Sequence, residues 1–129
     1  MSLSLAHLNL WAAWIGILLG MVSGALIGLF FHRADWLGGY DSWRRRLLRL
    51  GHISFFGIAF LNLAFANTLS LTGADTPLLA AWSLVVGALL MPAVCFLAAW
   101  RMAFRHLFFF PVLSLISGAA GLLGGGALK

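Results

Sequence analysis

The sequence predicts an all-α integral membrane protein: one domain over residues 1–129, folded as an antiparallel bundle of four transmembrane helices. Three observations predict it. Residues 2–32, 50–74, 76–100 and 106–128 contain no Asp, Glu, Lys or Arg, and each run exceeds the roughly 20 residues that a bilayer crossing needs. Only 9% of the chain is charged and 63% is hydrophobic, against about 25% charged residues in soluble domains. Seven of the eight Lys and Arg residues lie in two short segments, 33–49 and 101–105. Basic segments beside spans set topology. Both therefore belong on the cytoplasmic side, and both chain termini on the other. Such an orientation suits a bacterial inner (cytoplasmic) membrane, with anionic lipid headgroups beside the arginines. Charge placed this way argues against nucleic acid as a partner.

The first span is expected over about residues 9–31, with Trp11 and Trp14 at its outer interface. It lacks the basic leader of a secretory signal and its apolar run is too long for one. It therefore reads as retained, despite a small-residue Ser23-Gly24-Ala25 triplet. Trp36, Tyr40 and Trp43 suit the headgroup level, Gly38-Gly39 reads as a turn, and Asp41-Ser42 caps the next helix. That helix enters the bilayer near Leu50, spans about 50–70 and closes at Thr72-Gly73. Asp75-Thr76-Pro77 caps a third span over about 77–99, and a fourth covers about 107–127. Pro92 and Pro111 are expected to kink their helices.

Gly16, Gly20, Gly24 and Gly28 form a ridge at every fourth position, and the next step of four is His32. A glycine zipper of this kind admits another helix backbone or a flat ligand at close range. Its partner is open at this point: a span of the same chain, a second copy, or another membrane subunit. Asn62, near the middle of the second span, must hydrogen-bond something there.

The inventory of reactive groups is short. Glu is absent, the three Asp lie in turns or caps, and Cys95 is alone. No catalytic triad, phosphate loop or carboxylate metal site is legible. A self-contained enzyme is disfavoured, and no catalytic or metal residue is assigned. Histidine remains. His32, His52 and His106 fall at the basic ends of spans one, two and four, within one expected shallow layer, whereas His7 is at the opposite end.

Taken singly, each of the three reads as an interfacial residue or helix cap. Together they match the paired imidazoles of a b-type haem, with His52 as first ligand, His32 as partner and His106 in reserve. Arg33, Arg49 and Arg105 would meet propionates or lipid.

The expectation is thus a small membrane subunit of an electron-transfer or respiratory system that holds one haem b. The alternative is a cofactor-free accessory or assembly subunit that docks on a larger complex through its glycine ridge. A small oligomeric transporter or channel, lined by Asn62 and Pro92, is a third reading.

Overall fold

The computed structural model describes residues 2–73 and 78–125, and among them every regular element is helical. Four helices are long and apolar enough to cross a membrane. They are α1 (Ser2–Phe31), α2 (Trp43–Thr72), α3 (Leu78–Trp100) and a fourth, Met102–Gly124, in which a 3₁₀ segment (Met102–Phe108) leads into α4 (Phe109–Gly124). The expected Asp75-Thr76-Pro77 cap lies outside the described residues.

Local chemistry sets the boundaries. The Ser42 side chain accepts from the Arg45 N–H and caps α2, and Gly73 ends it in the left-handed conformation with φ 63°. Between α1 and α2 the chain reverses through Leu37, Gly38 and Gly39, all with positive φ. Glycine takes that conformation freely, whereas Leu37 (φ 55°) must be held in it by the turn around it.

α1 extends about two turns before the expected start of the first span. Pro111 is the third residue of α4, just after the 3₁₀ segment passes into it, in a first α turn where proline is tolerated. Pro92 does lie inside α3, where it takes away the donor for the Ala88 carbonyl.

Neighbouring helices are antiparallel, as three sets of contacts establish. α1 meets α2 through Gly16 on Ala59, Gly20 on Phe56 and Gly24 on His52. α2 meets α3 through Gly51 on Cys95 and Phe96. α3 meets α4 through Gly87 on Leu115 and Ala80 on Gly121. The basic turns after α1 and α3 consequently share one end of the molecule. The arrangement is less even than a closed quartet. α3 touches α1, α2 and α4, while α4 packs on α3 and meets the other two marginally at most. The buried apolar cluster, including Leu5, Phe65, Leu69, Ala80 and Leu84, lies in the half remote from the basic turns.

Candidate functional site

The glycine ridge is where candidate chemistry and packing meet. α2 of the same chain covers three of its four members, which answers the question of its partner. A methyl group on Gly16 would lie 3.1 Å from the Ala59 Cβ, one on Gly20 would lie 2.7 Å from the Phe56 ring, and one on Gly24 would lie 2.6 Å from the His52 Cε1. Gly28 has nothing within 4 Å. His52 thus fills a notch that only glycine leaves open.

The His52 ring is half-buried and stands edge-on to Phe56 at 5.5 Å. Its Nδ1 lies 3.1 Å from Ser23 Oγ, and that hydroxyl donates its one hydrogen to the Gly20 carbonyl. The hydroxyl thus lies within hydrogen-bond reach of both the Gly20 carbonyl and the His52 ring nitrogen.

The other two histidines do not join it. His32 and His106 are exposed, and so are Arg33 and Arg105; Arg49 is half-buried. His52 packs at the level of Gly24, eight residues before His32 on α1. At about 1.5 Å per residue that is roughly 12 Å along the helix axis. The single shallow layer of imidazoles is therefore corrected for His52. The cause lies in α2, which starts at the loop and has already risen more than two turns by residue 52. Among the described residues no three His, Cys, Asp or Glu side chains gather as metal ligands.

Asn62, fully buried, ties three helices together. Its Oδ1 accepts from Asn9 Nδ2 at 2.7 Å, and its own Nδ2 donates to the carbonyls of Ile58 (3.0 Å) and Leu84 (3.3 Å). Asn9 Nδ2 also reaches the Ala81 carbonyl at 3.2 Å, whereas Asn9 Oδ1 is buried with no partner. In the sequence, Asn9 stands out only as the residue where the first span is expected to begin. A second amide in an uncharged run was the signal available.

At the basic end, the Arg44-Arg45-Arg46 run divides. Arg44 and Arg46 are exposed, but Arg45 is 2% exposed. Its guanidinium donates to the carbonyls of Trp36 (2.7 Å) and Arg33, within a cage of Phe31, Trp36 and Tyr40 rings at 5.1–5.9 Å. Arg45 thereby clasps the end of α1 to the start of α2, a role its place in a run of three concealed.

No family model, curated protein or solved structure matches the chain. Its site therefore rests on its own geometry.

Two cavities flank the seam between α2 and α3. The first, about 620 Å³, opens at the basic end between Arg44 and Arg101, over a wall of Leu48, Phe96, Ala99 and Trp100. The second, about 200 Å³, is apolar and lies between α1 and α3, with Ile15, Leu19, Phe55, Val85 and Leu89 in its lining. Phe55 and Phe96, with ring centroids 6.0 Å apart, stand between them. Neither cavity is lined by a histidine.

Proposed function

We propose that this chain is a small integral membrane protein that serves as a cofactor-free accessory or assembly subunit of a larger membrane complex. In this reading the basic turns face the cytoplasm and the termini face the other side, following the positive-inside rule. One observation carries it: polar side chains within the apolar helices are engaged with neighbouring helices. His52 bonds Ser23, Asn62 bonds Asn9, and Ser114 donates to the Ser83 carbonyl at 2.7 Å. Interhelical bonds of this kind hold helices together in lipid, and they leave little for a reacting substrate. The glycine ridge cannot dock a partner without displacing α2, so the docking faces in this reading are the exposed outer sides of α1 and α4.

A second reading keeps the electron-transfer subunit with one b-type haem, and a separate observation favours it. Ser23 Oγ lies 3.1 Å from His52 Nδ1, placed as a partner to the second ring nitrogen is at ligating histidines. Uncovered Gly28 leaves room one turn further along α1. The exposure of His32 and its axial distance from His52 weigh the other way.

One preparation separates the two. Full-length protein, cross-linked in its membrane and expressed with ample haem, is expected to run with larger subunits and to show no Soret band. The monomer alone under several mild detergents would remove the accessory reading. A Soret band abolished by His52→Ala but retained in Ser23→Ala would establish the haem reading instead.

A further inference from the structure

The two arginines at the mouth of the larger cavity differ from their neighbour Arg45 in every respect that matters for binding. Arg44 and Arg101 are exposed, and neither side chain donates a hydrogen bond or forms an ion pair among the described residues. Each guanidinium lies over the indole beside it in sequence, Arg44 at 5.3 Å from Trp43 and Arg101 at 5.9 Å from Trp100. These contacts hold two planar forks at one rim with their donors free. No carboxylate lines the cavity, so no residue of its lining neutralises them.

Below the rim the wall turns apolar. Phe96, Ala99 and Trp100 recur at three and four residues along α3 and so share one face, and Leu48 of α2 adds to the same wall. From Arg101 to Phe96 the wall runs about 7.5 Å at the helical rise, about half the depth of one leaflet's hydrocarbon.

We propose that this groove is a binding site for one anionic phospholipid, its phosphate between Arg44 and Arg101 and the upper part of one acyl chain against the apolar wall of Leu48, Phe96 and Ala99. The site rests on the membrane reading given above. The occupant follows from the two halves of the groove together. A small hydrated anion would satisfy the arginines and leave the apolar wall unmatched. A zwitterionic lipid would bring its ammonium against two cations with no carboxylate to receive it.

The test is native mass spectrometry of the full chain in a nonionic detergent, titrated with dioleoyl phosphatidylglycerol or dioleoyl phosphatidylcholine. One phosphatidylglycerol is expected to be retained, about tenfold or more tighter than phosphatidylcholine. Arg44→Gln with Arg101→Gln should weaken retention about thirtyfold, from a factor of about five for each cation near the surface. Leu48→Trp, which narrows the apolar wall and keeps both cations, should also weaken it. Arg46→Gln removes an equal charge from a different face of α2 and should change nothing.

Equal retention of the two lipids would overturn the site, and so would an equal loss in Arg46→Gln. Displacement by millimolar inorganic phosphate would make it a free-anion site and overturn the lipid assignment. Recovery of the protein as a stable species in plain buffer would defeat the membrane reading itself, and is distinct from all of these outcomes.

Discussion

Of the polar attachments that hold α1 against α2, the two nearest the ends solve the same problem by different chemistry. At the end remote from the basic turns, Asn9 and Asn62 pair amide to amide and reach carbonyls on α2 and α3. At the basic end, Arg45 sets a full charge against two carbonyls and three aromatic rings. The amide knot is neutral, so each group needs only a hydrogen-bond partner to lie in an apolar interior. The arginine clasp needs charge compensation as well. It obtains this from carbonyl dipoles and ring faces, with no carboxylate. The knot therefore tolerates replacement of both members by apolar groups, and the clasp does not tolerate loss of its cation.

Breaking the clasp should have the largest effect. Arg45→Ala is expected to destabilise by about 3 kcal/mol, from lost charged hydrogen bonds and ring contacts. Unfolding of the purified protein in mixed detergent micelles measures it, and a loss indistinguishable from Arg46→Ala would remove the clasp as a distinct feature. Asn62→Ala comes next, at about 2 kcal/mol, because it strands Asn9 and two carbonyl contacts in an apolar interior.

The double change Asn9→Leu with Asn62→Leu sharpens the contrast. It should cost less than Asn62→Ala alone, since no unpaired amide remains. A double variant as damaged as the sum of its singles would mean that the amides do not act as a pair.

Between the two attachments, Gly24→Ala should cost about 1–3 kcal/mol, because its methyl would displace a His52 ring held by Ser23 and Phe56. Gly28→Ala, with open space around it, should fall within about 0.5 kcal/mol.

The helices were legible in the sequence because uncharged runs of this length have one common use, and Ser42 and Gly73 mark the bounds of α2 by local capping chemistry that needs no tertiary context. The glycine ridge was legible as a contact surface but not in its partner, since a row of missing side chains says that something approaches and not what. The three histidines were legible as a group only along the chain. Their depth depended on how far α2 had climbed before residue 52, and a loop of irregular conformation sets that offset.

Arg45 shows the limit most plainly. Three identical residues in a row carry no local sign that the middle one is buried. Its difference from Arg44 and Arg46 arises because successive residues on a helix point about 100° apart and the returning loop covers only one of those directions.

By itself, then, the sequence determined the number of helices, their apolar character, and the gathering of positive charge at two turns. Each follows from composition and from chemistry within a few residues. Only the tertiary structure decided that α2 fills the glycine ridge, that Asn9 meets Asn62, that α4 packs chiefly on α3, and that Arg44 and Arg101 come to share one rim. Those are pairings between residues far apart in the chain, and packing geometry chooses among partners that local pattern leaves equivalent.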